Sequence, residues 1–288
     1  MSFSENYQNI YNLVTKEIEE VKSKMLSGVS DADMLTEDLL NFIKAPSKCI
    51  RTLMCILYLK AMNIPINPSI ITFLAVIELI HNGSLIHDDI IDNSEIRRGE
   101  KSLNAKFGNH LSVIAGDFVL SVALKFIAEI NNPDIAEKIS DTIASMCRGE
   151  INQYFNKNKI PVLDDYIQKT YNKTGILFET AMRGSMLLGC GNIPYSAEKY
   201  AKNFGIAFQI KNDITDLDNV NSDSDLNNGI YTAPLIYSDN PKDLSSGIEK
   251  AQTLLDNYLQ EAKNNISDIE ESVYKSSLLK LLELIRYE

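Results

Sequence analysis

From one end of the chain to the other, apolar residues recur at steps of three and four. In the first segment Ile10, Leu13, Val14, Ile18, Val21 and Met25 set the pattern. The two-residue alternation of a half-buried strand is nearly absent, so the expected fold class is all-α. Helix starts are marked by Asn67-Pro68 and Asn132-Pro133, where Asn caps and Pro occupies the first turn. The spacing predicts helices over 4–27, 33–43, 48–62, 68–92, 109–130, 134–156, 164–189, 195–219, 242–264 and 267–286. No repeat or low-complexity tract interrupts them, and NVNSDSDLNNG (219–229) reads as a loop. The expectation is a single-domain bundle over 1–288, with about ten helices around a central apolar cavity and with 68–92 and 195–219 as buried central helices.

Those two helices end in charge. LIHDDIIDNSEIRRG (85–99) holds Asp88, Asp89 and Asp92, followed by Arg97 and Arg98. At about 100° per residue, Asp88 and Asp92 lie roughly 40° apart on one face. Two such charges about 4 Å apart repel by roughly 4 kcal/mol at an effective dielectric of about 20, so the cluster calls for a cation. Mg²⁺, which takes one or two carboxylates and completes its shell with water and substrate phosphate, fits a cluster with arginines beside it. The alternative is a solvated acidic helix end. FGIAFQIKNDITDLDN (204–219) repeats the grammar: Gln209, then Asn212, Asp213 and Asp216 at the same offsets. The expectation is that the two clusters face one another across a cavity and clamp a metal–diphosphate.

The net charge of −11 argues against a nucleic-acid or anionic-membrane surface. Cys49, Cys55, Cys147 and Cys190 form no CxxC pair, and no basic, apolar, cleavable leader is read at the N-terminus. Free thiols in a cytoplasmic protein are therefore expected. The run IITFLAVIELI (70–80) is too short to span a bilayer and carries Glu78, so it reads as a core helix and no transmembrane segment is expected.

Seven segments occur in an order that resembles the trans-isoprenyl diphosphate synthases, the polyprenyl synthetase family, over about 40–240. They are KAPSKCIRT, IHNGSLIHDDIIDNSEIRRG, VIAGDFVL, GEINQ, YNKTG, FGIAFQIKNDITD and DLNNGIYTAPLI. The resemblance implies the type I isoprenoid synthase fold and a head-to-tail trans condensation of isopentenyl diphosphate with an allylic diphosphate. The departing diphosphate would be stabilised by metal and basic groups while water is kept from the allylic cation. It further implies that Asp88 and Asp92 ligate Mg²⁺ with Asp89 in support, that Asp213, Asp216 and Asn212 serve a second metal site, and that up to three ions bind with diphosphate. Arg97, Lys173, Thr174 and Gln209 would hold the allylic diphosphate. Lys48, Arg51, His81 and Arg98 would hold isopentenyl diphosphate. His81 projects about 20° from Asp88 on an ideal helix, although a lone histidine on an apolar helix also serves as a satisfied core residue. Gln153 reads equally as a buried hydrogen-bonding residue or a site residue, and Lys173-Thr174-Gly175 as a diphosphate contact or a helix irregularity.

Several positions depart from the family pattern. Asn212 stands where an aspartate is usual, which weakens the affected metal. Ile230 stands where a lysine precedes the TLPL-like stretch, and the loop after Asp216 is short. Cys49 and Thr52 replace an arginine and a proline, and Ala45-Pro46-Ser47 replaces glycines. Two function classes follow: an active prenyltransferase, or a weakly active or non-catalytic subunit that completes a heteromeric synthase. A class I terpene cyclase also uses a DDxxD cluster, but the paired arginines and the isopentenyl-type basic set argue against it. In the family, small residues at Gly83 and Ser84 imply an open tunnel and a product longer than C15, with Ile80, Leu79 and Val76 as deeper stops. A homodimer through 109–130 is expected, with a heteromer as the alternative.

Overall fold

The computed structural model describes residues 3–218, 229–238 and 244–287, and among these the regular elements are helices apart from one small hairpin. Of the loop expected over 219–229, residues 219–228 lie outside the described residues. The chain divides into two compact units. The first holds Tyr11–Glu137 with Leu188–Cys190; the second holds Met1–Ile10, Lys138–Leu187 and Gly191–Glu288.

The first unit is built on α5 (Pro68–Ile91), which packs against α2 (Thr15–Val29), α4 (Ile50–Ala61) and α6 (Leu103–Ile130). Asn67 caps α5 as its sequence predicts: its side chain accepts from the Ile70 amide at 2.9 Å and donates to the Leu188 carbonyl. From Phe73 to Ile80 every residue is buried. Both α5 and α6 are long and apolar enough to cross a membrane by length and composition, but α5 spends its apolar surface on its neighbours and seats a buried carboxylate, Glu78, among them.

Three breaks escape the periodicity. The expected 4–27 helix is α1 (Phe3–Asn12) and α2, separated at Leu13-Val14, because the apolar steps run on unchanged across the turn. The expected 109–130 helix is the longer part of α6, which bends at Gly108 (φ 79°). The expected 48–62 helix begins at Ile50, after Cys49 in a left-handed conformation, so Lys48 lies on the approach to α4 and not within it. A short helix, α3 (Thr36–Lys44), follows a 3₁₀ turn at Asp33–Leu35.

The second unit comprises most of α7 (Pro133–Phe155), with α8 (Leu163–Thr170), a π-helical turn (Tyr171–Gly175) and α9 (Ile176–Cys190). It continues through α10 (Tyr195–Asp218), α11 (Ala233–Tyr237), α12 (Ser245–Asn265) and α13 (Val273–Tyr287). Here α10 is the hub, packed on α12, α11, α13, α8 and the π turn. Phe178 stacks against Phe204 and Phe208 with ring centroids 5.4 and 5.8 Å apart. Gly205 brings α10 onto the π turn: a Cβ there would lie 2.9 Å from the Cα of Gly175. None of the four cysteines forms a disulfide.

Candidate active site

In the first unit, the last turns of α5 sort the three aspartates. Asp88 is half-buried and Asp92, the C-cap residue, is exposed, one turn apart on the same face. Asp89 turns inward and is 1% exposed. Its Oδ1 accepts from Arg97 Nε at 2.8 Å and from Arg97 Nη2, while its Oδ2 is buried without a hydrogen-bond partner.

The arginines are placed by a hairpin that the periodicity does not reveal. Strands β1 (Ile96–Arg97) and β2 (Glu100–Lys101) pair in the register Arg97 to Glu100, leaving Arg98-Gly99 as a two-residue turn. Both turn residues have positive φ, 54° and 82°, the backbone of a type I′ turn, for which glycine is the natural second residue. Arg97 thereby returns to Asp89. Arg98 lies over the Phe42 ring, and its Nη1 donates to the Phe42 carbonyl at 3.3 Å and to Asn82 Oδ1 at 3.4 Å.

A basic group surrounds His81. Burial and the charges of Arg51, Arg98 and Arg97 push its imidazole well below the usual histidine range, so at neutral pH it is a hydrogen-bonding group and not a cation. Burial also lowers Lys48, Arg51 and Arg98, with Glu78 opposing the shift at both arginines. The Cys49 thiol is pushed up to about 12, by burial first and then by Glu78, and stays protonated.

The second unit repeats the sorting on α10. Asn212 is half-buried and Asp216 exposed, one turn apart, whereas Asp213 is 6% exposed and fully engaged. Its Oδ2 accepts from the Tyr166 hydroxyl at 2.6 Å and its Oδ1 from Gln209 Nε2 at 2.8 Å. Gln209 Oε1 in turn accepts from Thr174 Oγ1 at 2.7 Å. Burial and the Asp213 charge hold the Tyr166 phenol well above its usual range, so it remains a donor. Lys173 pairs with Glu150 at 2.7 Å, and Gln153 reaches the other oxygen of Glu150 at 3.4 Å. The irregularity at Lys173-Thr174-Gly175 is real: it is the π turn, and it carries both candidate side chains. A cavity of about 510 Å³ in this unit is lined by Gly149, Gln153, Gln168, Lys169, Asn172 and Ile230, among others.

Tyr166, Glu150, Asn82 and Glu78 were not singled out as site residues by sequence. Glu150 sits inside the GEINQ segment and was within reach of the pattern; Tyr166 lies 47 residues from its partner Asp213 and gives no local signal.

Among the described residues, no three His, Cys, Asp or Glu side chains gather closely enough to hold a metal by themselves. That donor set suits an ion taking two carboxylates from the protein and its remaining oxygens from phosphate and water. Asp88 and Asp92 would hold it, and the orphaned, buried Asp89 oxygen adds negative charge behind them.

The Polyprenyl synthetase family matches residues 32–276. The chain belongs to this family. A decaprenyl-diphosphate synthase of Dictyostelium discoideum is 29% identical over 85% of the chain, which spans 60% of that relative's length. A prenyl transferase of Cyanidium caldarium is 31% identical over 97% of the chain and 94% of the relative. A polyprenyl synthase of Caulobacter crescentus CB15, solved with calcium and isoprenyl diphosphate, superposes with a TM-score of 0.88 at 20% identity, covering 98% of each chain. This likeness establishes the type I isoprenoid synthase fold.

For a polyprenyl synthetase, the inward aspartates then matter as much as the outward ones, because they fix the residues around them. Tyr166→Phe removes one donor from the buried Asp213 carboxylate and is expected to cost about 1–3 kcal/mol. Urea unfolding checks this, and an unchanged midpoint would show that the hydroxyl is not structural.

Proposed function

We propose that the protein is a Mg²⁺-dependent trans-polyprenyl diphosphate synthase that extends an allylic diphosphate with isopentenyl diphosphate beyond C15. The observation that carries the reading is the sorted acidic cluster of α5: Asp88 and Asp92 presented together, Asp89 anchoring Arg97, and His81 two turns earlier on the same helix under the charges of Arg51, Arg98 and Arg97. Bound Mg²⁺ would neutralise charge on the departing diphosphate. The first unit supplies Lys48, Arg51, His81 and Arg98 for isopentenyl diphosphate, with neutral His81 as a hydrogen-bonding group among cations. Within the second unit, Lys173 and Gln209 carry donors that suit diphosphate oxygens, and Gln209 is oriented by Asp213 and by the Thr174 hydroxyl that donates to it.

Incubating the full chain with Mg²⁺, ¹⁴C-isopentenyl diphosphate and, separately, geranyl, farnesyl and geranylgeranyl diphosphates is expected to give labelled products longer than each primer. No incorporation with any primer would overturn the synthase reading in favour of a non-catalytic subunit.

Product length is expected to depend on the face around Gly83 and Ser84. A Cβ on Gly83 would lie 3.2 Å from Leu120 on α6, so a large side chain there must first displace that leucine; Ser84 is half-buried and the gentler probe. Ser84→Phe is expected to shorten the product in the same assay, and an unchanged length would place the stop elsewhere.

Self-association through α6 is part of the reading. Val113, Ile114 and Leu124 are exposed on a helix whose apolar window is only 44% buried. Sedimentation of the full chain is expected to show a dimer that Leu124→Glu weakens, and a monomer at micromolar concentration would refute this.

A further inference from the structure

In the apolar run 70–80, Glu78 is the one charged residue, and it is 3% exposed. Removing a carboxylate from water costs several kcal/mol unless partners compensate, and a leucine would fill the same space without that cost. Its surroundings show what the carboxylate does there. Glu78 Oε1 accepts from Thr52 Oγ1 at 2.8 Å and from the Thr52 amide at 3.4 Å, across from the first turn of α4. Thr52 is fully buried and adjoins Arg51, whose buried guanidinium is favoured in its charged form by Glu78. The Glu78 carbonyl accepts from Asn82 Nδ2 at 2.7 Å, and Asn82 Oδ1 accepts from Arg98, which the Glu78 charge also reaches.

The partner on α4 is this chain's own. Where the family pattern has proline, Thr52 supplies both a hydroxyl and an N–H to Glu78, and proline has neither donor. Where the pattern has arginine, Cys49 supplies no positive charge. At the start of α4 the acid is met by a neutral hydrogen bond from Thr52.

We propose that Glu78 is the positioning residue of the isopentenyl diphosphate subsite, holding α4 through Thr52 and countering the charge of Arg51 and Arg98 without touching the substrate. The proposal rests on the reading of Lys48, Arg51, His81 and Arg98 as that subsite. Without Glu78, buried Arg51 and half-buried Arg98 would lose the neighbouring negative charge that favours their charged forms.

The test is calorimetric binding of isopentenyl diphosphate and, separately, geranylgeranyl diphosphate to the full chain, with thermal melting alongside; it needs no turnover. Glu78→Gln is expected to weaken isopentenyl diphosphate about tenfold or more, the scale of one lost charged interaction, with geranylgeranyl diphosphate changed less than about twofold. Thr52→Val is expected to give a smaller loss in the same direction, and Thr52→Ser to restore binding. Equal weakening of both ligands, or a lower melting temperature with isopentenyl diphosphate binding unchanged, would overturn the proposal and leave Glu78 a core group. Should Glu78→Gln fail to fold, the Thr52→Val and Thr52→Ser pair decides by the same readout. Arg51→Ala separates the two claims: if it weakens isopentenyl diphosphate while Glu78→Gln does not, only the role of Glu78 fails; if it has no effect, the subsite assignment fails and the proposal with it.

Discussion

Negative charge at the C-terminal end of a helix opposes the helix dipole, and this protein places it there twice, on α5 and on α10. The rest of the candidate site is arranged around containing that charge. In each cluster the middle aspartate turns inward and is held, Asp89 by Arg97 and Asp213 by Tyr166 and Gln209, while the residues one turn apart face outward. The inward aspartates give the outward ones a fixed frame, and they gather the groups that donate hydrogen bonds. Arg97 and Gln209 are each positioned by an acid before any ligand arrives, a form of preorganisation that lowers the entropy lost on binding.

The same principle explains the basic cluster. Arg51 is buried and Arg98 half-buried, and Glu78 opposes the cost of desolvating their charge from within the apolar stretch of α5. His81 responds in the opposite way: crowded by arginines, it gives up its proton and keeps its hydrogen-bonding capacity. The departures from the family pattern fall unevenly on these two regions. Thr52 gains a direct hydrogen bond to Glu78, whereas Ile230 lines the cavity of the second unit with no polar side-chain group of its own.

Much of the architecture was legible because its signal is local. The apolar period located α5, α10 and the caps at Asn67-Pro68, and the aspartate spacing gave the shared face of Asp88 and Asp92. What was missed has no periodic signature. The turn at Leu13-Val14 keeps the hydrophobic steps intact, and the Arg98-Gly99 hairpin is only six residues long including its turn. Tyr166 and Asp213 meet across 47 residues of chain. Glu78 was visible as an oddity in an apolar run, but its meaning depends on Thr52, which only the packing of α4 on α5 brings beside it.

The π turn between α8 and α9 has a consequence for how this sequence can vary. A π turn holds one residue more than the α-helical turn it replaces, so the helical register shifts by about 100° across it. The face that Tyr166 shows to Asp213 and the face that Phe178 shows to Phe204 are thereby decoupled in phase. A single-residue deletion within 171–175 would force one of these two faces out of alignment, whereas a substitution that keeps the residue count leaves the helical register unchanged. In this segment residue count is a constraint in addition to residue identity, and a length change there would be felt through α9.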